Sequence, residues 1–303
     1  MLSSKGLING ITNFKIDFMK TKIFLMIAAM GVLSISSCMK DTSLIEQASI
    51  DLADDNSVTD VAFEDVNNTA DNASIIMENL MGPAKGDLEA GVALTDSCPT
   101  ITISAGTFPK TITIDYGTGC TGFNGSTRSG KIIINVTDRR NVVNATRTVT
   151  FDNYFFNGIK IEGTKEIKTV GLNNNQNMVV TDKLTGGKLT LPDGKTISRT
   201  VDHQREFTVG WGTKTIWDDE CLITGTATGI NINGVAYTNT ILTALHWKRV
   251  CEFIVSGTIK FERTGVDPVV LDYGTGECDA KATVTRGTLS KEITLKHKHR
   301  LMP

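Results

Sequence analysis

The stretch RTVTFDNYFFNGIKI, residues 147–161, decides the fold class. Its opening, Arg147–Phe151, alternates threonine with Val149 and Phe151, and Ile159–Ile161 alternates again around Lys160. Successive side chains of a strand point to opposite faces, so this spacing reads as two half-buried strands. Between them Asn157-Gly158 supplies the positive φ that a tight hairpin turn requires. The stretch is an antiparallel hairpin.

The same grammar extends in both directions. Thr111–Ile114 and Lys131–Val136 are period-two segments rich in Thr, Ile and Val, the residues that fit a pleated surface. Asn124-Gly125, Pro192-Asp193-Gly194 and Asn233-Gly234 are turn signals, with softer reversals at Arg140-Asn141 and Asn173–Asn175. No helix-length apolar pattern interrupts the text after Thr100. The prediction is a mainly β chain: a large antiparallel sheet, sandwich or meander, of about ten strands with one N-terminal helix. Gly163-Thr164, Gly225-Thr226 and Gly257-Thr258 place glycine inside strand text, which marks bulges. Two loosely related halves are expected, around residues 98–170 and 220–296.

Those halves share a second echo. Asp115–Cys120 reads DYGTGC and Asp272–Cys278 reads DYGTGEC. A phosphate cradle needs a helix after its glycines, and strand and turn residues follow here. A calcium loop needs several oxygen ligands, and each copy has one Asp. Both copies therefore read as strand ends. Each runs into a cysteine, so Cys98 pairs with Cys120 and Cys251 with Cys278, each disulfide closing one short loop. Cys221 is left over, either a buried free thiol or a partner for intermolecular pairing. CxxC or clustered Cys/His spacing is lacking, so no zinc site is expected.

The N-terminal text is of another kind. Met19–Lys22 is a positive segment, Ile23–Leu33 an apolar one, and Ile35-Ser36-Ser37 a small-residue approach to Cys38, the layout of a secretory signal. Residues 1–37 are expected to be a leader with Met19 as its true start. Residues 38–97 are expected to hold a lipid anchor, an acidic segment and an amphipathic helix, and residues 98–303 the β domain. Residues 39–96 contain thirteen Asp or Glu against two Lys, which argues against nucleic acid or anionic headgroups as partners. From Asn56 to Met81 apolar residues recur at helical spacing, Val58, Val61, Val66, Ala70, Ala73, Ile76 or Met77, and Leu80. Asp60, Glu64, Asp65, Asp71 and Glu78 fall mostly on the other face. This segment reads as a solvated stalk or an outer helix.

No nucleophile motif is present, and no cofactor is expected. His203 beside Asp202 reads as a surface pair rather than a base, and Asp218-Asp219-Glu220 as an acidic turn. His297 and His299 lie among cations that repel a metal. The expected recognition feature is Trp211 with Trp217: if extended, they have equal parity and share one strand face, an arrangement able to stack on sugar rings.

Ile35–Cys38 resembles the bacterial lipobox, which implies cleavage before Cys38 and acylation of its thiol. Met39-Lys40-Asp41 partly resembles the Lys-acidic tag of Bacteroidota surface lipoproteins, with Thr42 where a second acid would stand. Arg128–Ile132, Thr150–Tyr154, Leu191–Thr196 and Thr224–Gly229, together with the two DYGTG segments, resemble a group of Bacteroidota envelope lipoproteins of unassigned function. The resemblance implies export to the outer membrane, at the periplasmic face or cell surface, and no catalysis. Contact with the membrane through the lipid, and with a glycan or an envelope protein, is the partner expectation.

Overall fold

The computed structural model describes residues 40–81, 92–94, 98–122 and 125–295, with helix side chains described from Leu52 onward. The leader, Cys38, Asn124, His297 and His299 lie outside the described residues. A compact unit spans Ala48–Pro303; of the unit before it, 1–47, only the start of one helix is described.

That helix, α1, runs from Lys40 to Met81. The strands are β1 (Val92–Leu94), β2 (Thr100–Ile103), β3 (Lys110–Asp115), β4 (Cys120–Thr121) and β5 (Thr127–Val136). Then come β6 (Thr146–Phe156), β7 (Ile159–Leu172), β8 (Met178–Thr190), β9 (Thr196–Val209) and β10 (Glu220–Ile230). The last five are β11 (Ala236–Lys248), β12 (Ser256–Arg263), β13 (Val266–Thr275), β14 (Lys281–Arg286) and β15 (Leu289–Thr294). Except for β4, which only borders β5, each strand pairs with its sequence neighbours, antiparallel throughout, in one open sheet. This is a meander, not a sandwich. The strands beyond the expected ten or so are mostly short ones near the ends of the chain, such as β1 and β4, which carry too few residues to show a period.

The hairpin 147–161 forms as read, with Phe156 opposite Ile159. Asn157 has φ 50° and Gly158 φ 75°, as the tight turn demands. The register of the ladder shifts beside Gly163, Gly225 and Gly257. At Gly257 a Cβ would stand 2.5 Å from the Ala244 carbonyl oxygen, so the neighbouring backbone approaches where any side chain would be. Such bulges bend a strand and raise its local twist. They help the sheet to curl.

What it curls around is α1. Leu52, Ala53, Asp54, Ser57, Val58, Ala62, Phe63 and Asp65 are all buried, and at 100° per residue these positions lie all round the helix. Val58, Phe63, Val66, Ala70 and Met77 share one apolar core with Ile112, Ile134, Val149, Ile161 and Leu184. Leu52 and Ala53 share a second with Ile223, Leu245, Phe261, Leu271 and Val284. The expected solvated stalk is thus corrected: from Leu52 on, the helix lies largely buried in the sheet's concave face. The stripe is reproduced apart from its end, for Leu80 is 45% exposed.

Both DYGTG segments end strands. Asp115 accepts a hydrogen bond from the Gly117 amide at 2.8 Å, and Asp272 one from the Gly274 amide at 2.9 Å. Tyr116 and Tyr273 are both buried. Disulfides join Cys98 to Cys120 and Cys251 to Cys278, with Cα atoms 5.8 and 5.3 Å apart. Cys221 is a buried free thiol, which removes the intermolecular alternative.

Candidate functional site

The acidic residues of α1 face arginines rather than water. Asp65 meets Arg128 of β5 at 2.5 Å, Asp60 meets Arg199 of β9 at 2.9 Å, and Glu64 meets Arg205 of β9 at 2.6 Å. Asp71 pairs with Arg147 of β6, and Glu78 with Arg140. Within the sheet Asp182 of β8 bridges Arg205, at 2.8 Å, and Lys165 of β7. Burying charge is costly unless each ion finds a partner and further hydrogen bonds. The inner face meets that condition through a helix whose carboxylates match its cations.

The electrostatics follow. Burial opposes ionisation of Asp182, but Lys165 and Arg205 outweigh it and hold the carboxyl well below the usual carboxylate range. Burial raises Asp60 despite Arg199. His203 of β9 was expected at the surface; instead its imidazole points inward, and burial followed by the Arg199 charge lowers its pKa to about 3. It is neutral at physiological pH. In the acidic turn, burial pushes Asp219 up to about 7, with Asp71 adding to the rise. Asp218 accepts a hydrogen bond from Thr213, and Glu220 lies 2.8 Å from His246.

A cavity of about 90 Å³ lies between α1 and the sheet. Ser57, Asp60, Val61, Glu64 and Asn67 line it from the helix; their spacing of three and four puts them on one face. Opposite stand Lys165, Asp182, Arg199, His203 and Arg205, continuing into an apolar stretch at Leu245, Trp247 and Phe253. This is the candidate site. Among the described residues no group of three or more His, Cys, Asp or Glu could hold a metal ion.

Sequence reading missed its arginines, yet the signal was there. Arg199, His203 and Arg205 have the parity of Ile197, Val201 and Phe207 in β9, whose burial alternates in that register. Charge at an apolar parity is the mark of a buried ionic network.

The tryptophan pair does not form a shared platform. Residues 210–219 make a turn-rich loop between β9 and β10, where Thr213 N bonds the Gly210 carbonyl at 2.9 Å. With no strand there, parity says nothing about facing. Trp211 packs on Phe207 at 4.7 Å between ring centroids and lies under the Arg140 guanidinium at 4.9 Å, while Arg140 also donates to the Trp211 and Thr213 carbonyls. Trp217 is 65% exposed beneath Arg249. Among the described residues no helix is long and apolar enough to cross a membrane. Compared with protein-family models, with characterised proteins and with solved structures, the chain matches none.

Proposed function

We propose that this chain is a lipid-anchored protein of the bacterial cell envelope, held at the outer membrane through acylated Cys38, whose β unit is a non-catalytic interaction module. The observation that carries the second half is the pairing of the interior: Arg128, Arg147, Arg199 and Arg205 are each engaged by a helix carboxylate. Ionisable groups committed to holding helix and sheet together are poor acids and bases, because their proton exchange would break a buried pair. The first half rests on the lipobox text and on two disulfides, which form and persist in oxidising compartments. Several acyl chains on one residue hold a soluble unit stably where a single chain does not.

Metabolic labelling of the full chain with palmitate tests the anchor. Label should enter the envelope fraction and vanish with Cys38→Ser, and unlabelled wild type would sink the reading. A glycan array separates two kinds of partner. No glycan signal fits an envelope-protein partner, whereas binding lost with Trp217→Ala would replace that partner with a sugar.

A further inference from the structure

The cavity beside α1 carries a mismatch of hydrogen-bonding groups. Ser57, Asn67 and Asn239 are 6%, 4% and 1% exposed and line it. The Ser57 hydroxyl, the side-chain carbonyls of Asn67 and Asn239, and Nε2 of His203 all lack a hydrogen-bond partner. Buried polar groups are nearly always paired, so four orphans around one space ask what fills it.

The amide orientations are dictated by their neighbours. Asn67 turns its NH₂ to two carboxylates, Glu64 and Asp182, both at 3.2 Å, which leaves its carbonyl oxygen open. Asn56 accepts from Arg199 at 3.1 Å and donates to Asp60 at 2.7 Å, so its carbonyl faces Asn239 and receives the Asn239 NH₂ at 3.2 Å. The Asn239 carbonyl is thereby also left over. Both amides therefore present acceptors. An occupant must bring donors.

The charges exclude an ion. Lys165, Arg199 and Arg205 face Asp60, Glu64 and Asp182, and these are already paired with one another; the fourth carboxylate of the lining, Glu252, is exposed and has an interaction of its own. A charged guest would lose its hydration without gaining an unpaired counter-ion. Another part of the lining, which includes Ile241, Leu245, Trp247 and Phe253, is apolar. About 90 Å³ is also small, roughly three times the volume a water takes in the liquid.

We propose that this cavity is a binding site for a small uncharged amphiphile, an alcohol or primary amide of a few heavy atoms. Its O–H or N–H donates to Asn67 or Asn239, and its hydrocarbon part lies against Trp247 and Phe253. The site does not depend on lipid anchoring and would be present in an unanchored chain.

The test uses folded wild-type protein, 1-butanol and its isomer diethyl ether, which has the same formula and no donor. The chain has three tryptophans, so the Trp247 indole cross-peak in a ¹H–¹⁵N spectrum is assigned by its loss in Trp247→Phe. Expected is a saturable shift of that peak with 1-butanol and with butyramide. Binding of the ether should be at least about tenfold weaker, since a buried acceptor left unpaired costs that much or more. Butyrate and butylammonium should not compete. Absence of a saturable shift with butanol, meaning that water alone fills the space, overturns the proposal. Equal binding of the ether does so too, as does tighter binding of either ion. Val201→Phe, which fills the cavity without touching a charge, should abolish the shift while the spectrum stays dispersed. In Asn239→Leu the preference for butanol over ether should shrink.

Discussion

Arg205 is held from two sides, by Glu64 of the helix and Asp182 of the sheet. Replacing it with Met leaves Glu64 without a cation and Asp182 with Lys165 alone, and breaking a buried pair in this way costs about 3–5 kcal/mol. The expected outcome is a large fall in the urea midpoint for Arg205→Met, with part of the loss restored when Glu64→Gln is added. Proton linkage gives a second expectation. His203 titrates at about 3 in the fold against about 6.5 unfolded. Between those values the unfolded chain binds more protons, so its contribution is fully present above about pH 6.5 and drains away as pH falls. Asp182, held low by Lys165 and Arg205, acts in the same direction once pH drops below about 4, the ordinary carboxylate value. Asp219, raised to about 7 by burial, opposes them, since its contribution fades as pH climbs from about 4 to 7. Urea melts at several pH values should show that between pH 4 and 6.5 stability rises less with pH, or falls more, for His203→Gln than for wild type. Identical slopes would mean that the imidazole is not buried in its neutral form. At Cys221 burial raises the thiol to about 12, so iodoacetamide should label it only in denaturant.

At the level of elements, the bulges and the two tethered strand ends set the shape of the sheet. Gly225 has φ 121°, and a Cβ there would run into the backbone carbonyl of Asp202. Gly225→Ala therefore combines a disallowed backbone conformation with a clash, a loss of about 1–3 kcal/mol, measurable as a lower thermal midpoint. Glycine inside strand text is legible as a bulge in the sequence itself, because in a strand it otherwise only weakens packing. The loop 210–219 is not. Trp211 and Trp217 are spaced as strand residues, but Gly210 and Gly212 and the hydrogen bonds of Thr213 turn the chain instead. Each disulfide ties an upstream segment to the far side of a DYGTG turn, across 22 and 27 residues of sequence. Loops of that size are worth about 3 kcal/mol apiece in the chain-entropy model. Alkylation of denatured residues 39–303 should trap one thiol before reduction and four more after it.

At the scale of the whole molecule the decisive fact is that helix and sheet complete one another. Removing residues 40–81 would expose Arg128, Arg147 and Arg199 without counter-ions and leave Arg205 with Asp182 alone, beside an uncovered apolar face. Such a chain should not give a cooperative thermal transition, and independent folding of residues 98–303 would refute this account. Local signals in the sequence left sandwich and meander open but determined the antiparallel pairing, the hairpin turns, the bulged glycines and the disulfide partners. Each of these depends on residues close in the chain or on the backbone conformation of a single position. The place of the helix was decided only by tertiary structure. An amphipathic acidic helix is solvated or buried according to what lies opposite it, and its counter-ions sit between 62 and 141 residues further along the chain. The same is true of the cavity, whose orphaned carbonyls depend on Asp182 and Arg199, distant in the chain, to fix how the side chains of Asn67 and Asn56 are turned.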